Sequence, residues 1–492
     1  MILTSTFLLY LILVAYISWW AYKKTSASED YFLGGRQLSA TTAALSAGAS
    51  DMSGWLLLGL PGYAFASGLE SIWLSGGLCL GLAICWLSMA RRLRSYTEQL
   101  DNALTIPTYL QRRFNDKTPV LRLVTAFFIL LFFLFYVSSG FVAGAKLFST
   151  VFDTGYQGGL WLTFGFVVIY TFIGGFLAVS WTDVLQGLLM LLALLITPVM
   201  VIVANDGVGA SLQQVATLNS ELLNPFTNSK GEVLSWISIM SLVGWGFGYF
   251  GQPHILARFQ AIREHREVPQ ASSIAIIWSL VVNAGAICVG LFAVVIFNEN
   301  GAISDNEQIF MILANTLFHP VIAGVIMAAI LAAIMSTADS QLLVCSSAIA
   351  EDMLAGKTHQ QHKFLNPVML GRISVFVIGF IALIFALDPN SKVLDIVSYA
   401  WAGLGAAFGP TILISLYSSR MSRTAALAGI VVGGTTVVVW KGISGGIFDL
   451  YELVPGFLFS SIAIFVVNAL YDNDDQEVKQ QHQRFQQDFR AS

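Results

Sequence analysis

ALSAGASDMSGWLLLGLPG, residues Ala44–Gly62, opens an apolar run with small and hydroxyl side chains, places Gly48 and Gly54 in it, and sets Asp51 between them. A charge at membrane depth is costly and normally faces a bundle interior or a watered cavity, which makes Asp51 a functional candidate. The plainer alternative is a carboxylate capping an interrupted helix, since Asp also favours helix N-termini. A second stretch, SLVGWGFGYFGQPHILARF (Ser241–Phe259), alternates Gly244, Gly246, Gly248 and Gly251 with Trp245, Phe247, Tyr249 and Phe250, then meets Pro253. Glycine and proline release backbone carbonyls from a helix ladder, and released carbonyls at membrane depth are tolerated only where they line a cavity or a buried site. Aromatic faces beside free carbonyls suit a small amphipathic solute. The competing reading is close packing of small residues against a neighbouring helix. The two stretches lie roughly 190 residues apart, each followed by about four further apolar runs, as expected for two five-helix repeats of inverted topology with a site at their interface.

Composition agrees with this setting. Of 492 residues, 56% are hydrophobic and 11% charged, and the mean hydropathy is +0.72. Soluble domains carry roughly 25% charged residues, so the solvent here is largely lipid. Apolar runs predict an all-α polytopic membrane protein of about thirteen spans. The expected division is a peripheral first span at 1–22, one repeat over 39–204 (spans 2–6), a second over 233–417 (spans 7–11), peripheral spans over 424–471 and a tail over 472–492. Positive residues are retained on the cytoplasmic side. With the N-terminus outside and all Lys and Arg assigned to loops, 21 of the 25 fall inside and only Lys146, Lys230, Lys392 and Lys441 outside. The first run lacks a basic leader and a cleavage site, so it reads as a retained helix.

Several functions drop out. The net charge of −4, without a basic run, argues against nucleic acid. There is no phosphate-binding Gly-rich Lys-Ser/Thr loop, so any work is driven by a gradient. The tail is polar, too short for a catalytic domain, and reads as a solvated extension, with a helix as one option for it. Cys79, Cys85, Cys288 and Cys345 sit singly in apolar runs and read as small core residues. Only His359 and His362 have metal-ligand spacing, and their loop, KTHQQHK, reads as solvated. No enzyme motif is present, and no cofactor or obligatory protein partner is expected.

In AAILAAIMSTADSQLLVCSS (Ala328–Ser347), Ser336 and Thr337 place two hydroxyls one turn after Ala333. Hydroxyl and carbonyl oxygens suit a hard cation, so these with the Ala333 carbonyl and those of the Asp51 interruption form a candidate Na⁺ site. Ser and Thr equally often bond back to their own helix. Asp339 is placed to attract an ion or to pair in a loop. Asp183, in GGFLAVSWTD, opens the sixth span, where a role in ion release competes with simple dipole stabilisation. Tyr136 lies mid-span and its hydroxyl needs a partner.

Six segments together resemble the solute:sodium symporter family: YFLGGRQL (Tyr31–Leu38), LSAGASDMSGWLL (Leu45–Leu57), TFIGGFLAVSWTD (Thr171–Asp183), GWGFGYFGQPHILARF (Gly244–Phe259), AAIMSTADSQLLVCSSAI (Ala332–Ile349) and SYAWAGLGAAFGP (Ser398–Pro410). ASDMSGWLL and GYFGQPHILARF look like its proline branch. The resemblance implies a leucine-transporter-like five-plus-five core with spans 2 and 7 broken, in the bacterial cytoplasmic membrane among its lipids. It implies import of L-proline coupled to Na⁺, with no other metal. Sodium ligands would be the carbonyls of Ala49, Met52 and Ala333 and the hydroxyls of Ser336 and Thr337. Asp51, Ser53 and Gly54 match positions coupling sodium to substrate, and Asp183 would lie on the inward ion path. Proline positions fall on Tyr136, Trp245, Tyr249 and Pro253, with Trp55 beside them. Another small solute of the family (a different amino acid, pantothenate or a sugar) is the nearest alternative. A sodium channel and a transport-like membrane sensor are alternatives of a different class.

Overall fold

The structure is a computed structural model. It describes residues 2–22, 34–297, 303, 305–354, 367–471 and 476–491. The basic residues Lys23, Lys24, Lys357 and Lys363, the His359/His362 loop, and Tyr31–Leu33 of the first matched segment lie outside the described residues.

The described chain is helical apart from two isolated bridges, Leu38 with Ile262 and Thr227 with Val233. Its α-helices are α1 (Ile2–Tyr22), α2 (Ala40–Asp51), α3 (Leu60–Ser67), α4 (Ser71–Cys85), α5 (Arg91–Gln99), α6 (Ile106–Arg113), α7 (Val120–Phe152), α8 (Gly155–Ala204), α9 (Val208–Asn219) and α10 (Trp236–Val243). The second half holds α11 (Pro253–Ala261), α12 (Val268–Phe297), α13 (Ile309–Leu317), α14 (Pro320–Ser347), α15 (Pro367–Phe385), α16 (Val393–Tyr417), α17 (Arg423–Lys441), α18 (Leu453–Leu470) and α19 (Gln476–Ala491).

Among the described residues, ten helical stretches are long and apolar enough to cross a membrane. The helix before Asp51 and the Trp236–Ala261 region fall short of that length for a local reason, whereas the chain from Trp55 onward belongs to the counted stretch Trp55–Gln99. α2 stops at Asp51, and the Trp236–Ala261 region is divided into α10, a 3₁₀ segment at Gly244–Gly251, and α11. Ser39 starts α2 by accepting from the Thr42 amide, so only twelve residues separate its cap from the interruption. α8 is 50 residues long and bends where Gly175 takes φ 68°, a left-handed value that glycine adopts without strain. The bend separates two membrane-length pieces, Gly155–Ile173 and Ala178–Ala204.

Burial sorts the helices. In their most apolar windows, 83% of the α14 and α16 stretches is buried, against 28% for α18, so α14 and α16 run through the middle and α18 at the periphery. α14 packs on α8, α7 and α1, whereas α16 packs on the 3₁₀ segment, α7 and α17. Small residues allow the closest approaches. A Cβ on Gly81 of α4 would overlap the backbone of Gly246, and one on Gly77 the backbone of Val243. Close packing therefore accounts for Gly246, as one of the sequence readings held.

Two expectations are corrected. The tail is not a solvated extension, because α19 docks on α5 and α6. Phe485 stacks on Tyr96 at 4.0 Å, and His482 Nδ1 lies 3.2 Å from the Tyr96 hydroxyl and 3.3 Å from Arg113 Nη2. Nor do all basic residues lie in loops. Arg36, Arg94, Arg113, Lys146 and Arg258 are buried, and Lys146 pairs with Glu307 at 2.7 Å. Long cationic side chains can be taken inside when carbonyls, carboxylates and hydroxyls receive most of their donors, which a loop assignment by charge alone overlooks.

Candidate functional site

The interruption after α2 is organised around Asp51. Met52 leaves the helix at φ −91°, ψ 80°, and a π-helical turn resumes the path at Trp55–Gly59. The main-chain oxygen of Asp51 accepts from the Ser53 amide at 3.1 Å and from the Trp55 indole at 3.1 Å. Its carboxylate Oδ2 accepts from the Tyr249 hydroxyl at 2.6 Å, which joins the two interrupted stretches directly. Oδ1 has no hydrogen-bond partner among the described residues, although Asp51 is buried. Gly54 lets the turn settle against α7 and α14: a Cβ there would stand 2.8 Å from Ala143 Cβ and 3.3 Å from Ile334.

Two residues back, the Ala49 carbonyl accepts from the Ser336 hydroxyl at 2.7 Å, and that hydroxyl also lies 3.1 Å from the Ala333 carbonyl. Both readings of Ser336 therefore hold at once: it bonds back to its own helix and reaches across to the α2 interruption. Thr337 Oγ1 is buried and without a partner among the described residues, and Met52 is buried beside the same break. A sodium ion would take these oxygens with the hydroxyl proton turned outward, so the donor chemistry fits a hard monovalent cation.

The Gly244–Gly251 segment differs from expectation. Three of its carbonyls are already taken by protein donors. Trp401 Nε1 donates to Trp245 O at 2.8 Å, Gln252 Nε2 to Gly248 O at 3.2 Å, and the Cys85 thiol to Tyr249 O at 3.4 Å. These three are not free oxygens lining a site, and the side chains that the segment carries are aromatic. Tyr249 meets Trp401 edge-on at 5.0 Å, and Tyr136 of α7 meets Trp401 edge-on at 6.5 Å. Trp245 stacks on Tyr451 at 5.2 Å. The Tyr136 hydroxyl and both ring nitrogens of His254, whose ring centre is 5.9 Å from that of Tyr136, have no hydrogen-bond partner among the described residues. Pro253 begins α11, where its missing N–H costs nothing. Trp55 is buried, with its indole engaged on Asp51.

Asp183 belongs to a second cluster. It sits past the Gly175 bend, inside α8 and not at a helix start, and forms an ion pair with Arg258 of α11 at 3.1 Å. Ser46 and Ser50 of α2 donate to the same carboxylate oxygen at 2.6 and 3.1 Å, and Arg258 also donates to Ser340 of α14 at 2.6 Å. This network ties α2, α8, α11 and α14 together. Asp339 is buried nearby on α14, and its carboxylate has no hydrogen-bond partner among the described residues.

Arg258, Trp401, Gln252 and Cys85 are the residues that sequence reasoning passed over. Arg258 had a signal, a lone cation within the apolar run PHILARF. Trp401 and Gln252 lay in quoted segments without a role, and nothing in the sequence around Cys85 marks its thiol. An apolar groove lined by Leu11, Trp161, Ile169 and Met335 lies between α1 and α8 and includes none of the site residues.

The fold is that of known secondary transporters. A substrate-bound, outward-open Na⁺-coupled sialic acid symporter superposes with a TM-score of 0.79 at 19% identity, covering 96% of this chain and 99% of the other. MhsT in complex with L-phenylalanine has the same architecture, with a TM-score of 0.52 at 12% identity over 88% of this chain and 98% of the other. Residues 31–433 match the sodium:solute symporter family, and the chain belongs to that family. It is 49% identical over 473 residues to the sodium/proline symporter of Salmonella typhimurium, covering 94% of this chain and 92% of the relative. It is 45% identical over 472 residues to the high-affinity proline transporter PutP of Bacillus subtilis, covering 96% and 98%.

Proposed function

We propose that this protein imports L-proline together with Na⁺ by alternating access in the bacterial cytoplasmic membrane. It is a transporter and not an enzyme, and sodium is its coupling ion. The reading is carried by one observation: the Asp51–Tyr249 hydrogen bond joins an oxygen-rich interruption to an aromatic one. Resemblance over nearly the whole chain to named proline carriers supports the substrate.

In this reading the chain has thirteen spans, N-terminus outside and C-terminus inside, with spans 2–6 and 7–11 as inverted repeats over 39–204 and 233–417. Spans 2 and 7 are the broken ones, at Asp51 and at Gly244–Gly251. Sodium is held by the carbonyls of Ala49, Met52 and Ala333 and the hydroxyls of Ser336 and Thr337. Proline lies against Trp245, Tyr249 and Tyr136, near Trp55 and Pro253, with Asp51, Ser53 and Gly54 transmitting ion occupancy to the solute. Asp183 lies on the ion's way inward, and its release from Arg258 is part of opening that path.

By linkage, sodium tightens proline as much as proline tightens sodium. One charge moving down about 100 mV gives about 2.3 kcal/mol, and a tenfold sodium gradient adds about 1.4 kcal/mol. One-to-one coupling then supports accumulation of roughly several hundredfold. The test is radiolabelled proline uptake into proteoliposomes under an imposed sodium gradient, with other amino acids, pantothenate and sugars as competitors. Uptake should collapse with the gradient and yield only to proline; uptake indifferent to sodium ends the symport reading.

A further inference from the structure

We infer that Trp401 and Gln252 are positioning residues for the transported solute, clamping the Gly244–Gly251 segment so that Trp245 and Tyr249 present fixed aromatic faces beside Asp51. The inference rests on reading Trp245 and Tyr249 as proline positions.

A 3₁₀ run of eight residues is long for its type, because its hydrogen bonds are poorly aligned, and the four glycines in it bring no side chains to hold its shape. Something outside the segment has to fix it. Trp401 does so at three points. Its indole N–H caps Trp245 O at 2.8 Å, its ring stands perpendicular to Tyr249 at 5.0 Å, and its own carbonyl accepts from Gln252 at 3.2 Å. The same Gln252 amide nitrogen caps Gly248 O at 3.2 Å. With both acceptors being carbonyls, the Gln252 amide has only one satisfactory orientation, nitrogen toward them. Trp401, Trp245, Gly248 and Gln252 thus form a closed loop of contacts between α16 and the segment. Gly248 is required at its centre, since a Cβ there would overlap the Trp401 indole nitrogen. The two site aromatics bracket Gly248 in sequence, so a shift of Trp401 moves both.

Trp401→Phe keeps an aromatic ring at the position and removes the indole N–H. We expect the proline concentration for half-maximal uptake to rise about five- to tenfold, the worth of one hydrogen bond. The maximal rate, and the sodium requirement measured at saturating proline, should stay within about twofold. Selectivity should relax as well: the four-membered and six-membered ring homologues, azetidine-2-carboxylate and pipecolate, should compete better relative to proline. A merely structural tryptophan would lower abundance or maximal rate and leave half-saturation and selectivity alone, and that result overturns the proposal. If Trp401→Phe does not accumulate in the membrane, Gln252→Met decides by the same readouts. Trp245→Ala is the companion measurement. Weakened proline there, with Trp401→Phe and Gln252→Met unchanged in half-saturation and selectivity, overturns the clamp alone. Unweakened proline in Trp245→Ala removes the site reading, and the clamp with it.

Discussion

The interruption at Asp51 and the interruption at Gly244–Gly251 solve the same problem in opposite ways. Both release backbone groups inside a bundle where unsatisfied polar atoms are costly. At Asp51 the surroundings leave oxygen available: Asp51 Oδ1 and Thr337 Oγ1 are unpartnered among the described residues, and the Ala49 and Ala333 carbonyls converge on one serine hydroxyl. At Gly244–Gly251 three carbonyls are capped by Trp401, Gln252 and Cys85, and the segment's side chains are aromatic. The first suits a small hard cation and the second an apolar ring. The lesson is that an interrupted helix does not by itself offer carbonyls to a ligand; the donors of neighbouring helices decide.

The largest effect is expected where the two regions share an anchor. Arg258→Met strands the Asp183 carboxylate in the bundle, and leaving one partner of a buried pair uncompensated costs about 3–5 kcal/mol. Folded protein should fall sharply, measured as detergent-extracted monodisperse carrier, and Asp183→Asn in the same chain should restore much of it. No restoration would mean that Arg258 acts through Ser46 and Ser340 and not through the ion pair. Next, Ser336→Ala with Thr337→Ala should raise the sodium concentration for half-maximal uptake by about tenfold or more, as expected from losing two ion ligands. An unchanged sodium requirement removes α14 from the ion site and breaks the comparison on its oxygen side. Tyr249→Phe should weaken proline about fivefold by cutting the link to Asp51, while Asp51→Asn, which still accepts that hydrogen bond, should act mainly on sodium. Identical profiles for the two substitutions would show that the regions are not specialised.

Much of this was legible because charge is scarce in the chain. Asp51 stood out as a carboxylate in an apolar run, and the Gly-aromatic alternation marked Gly244–Gly251 without any structure. Ser336 was legible with its own-helix partner Ala333, whereas its bond to Ala49 spans 287 positions and follows only from the fold. The capping of the freed carbonyls was not legible for the same reason. Cys85 and Trp401 are ordinary residues for apolar helices, and only close packing through Gly81, Gly246 and Gly248 brings their donors to the main chain. Arg258 was visible but misplaced, because assigning cations to loops ignores those that carboxylates and carbonyls receive inside. The docked tail was hidden in a polar composition whose inward positions, Val478, His482, Phe485 and Phe489, share a face only once the segment is helical.

That tail gives the smallest expected effect, away from both interruptions. His482 is buried between Tyr96 and Phe485, and burial together with the Arg113 guanidinium pushes its imidazole down to about 4 from its ordinary value. A released tail would carry a histidine titrating near its ordinary value of about 6.5. Released tail therefore binds a proton that docked tail does not, so docking is at full strength above about pH 6.5 and weakens as pH falls from there toward 4. A spin label on Arg484→Cys, on the exposed face of α19, should show a mobile fraction that grows between pH 7 and pH 5. His482→Gln should flatten that dependence while uptake at neutral pH stays close to that of the unaltered protein. A mobile fraction unchanged by pH in the unaltered chain would show that α19 is held by the Phe485–Tyr96 stack and the Arg91 and Arg92 contacts to Phe489, with His482 a bystander. Sodium and proline half-saturation should not follow the label, because α19 is anchored on Tyr96, Arg91, Arg92 and Arg113, away from α2, α14 and the 3₁₀ segment.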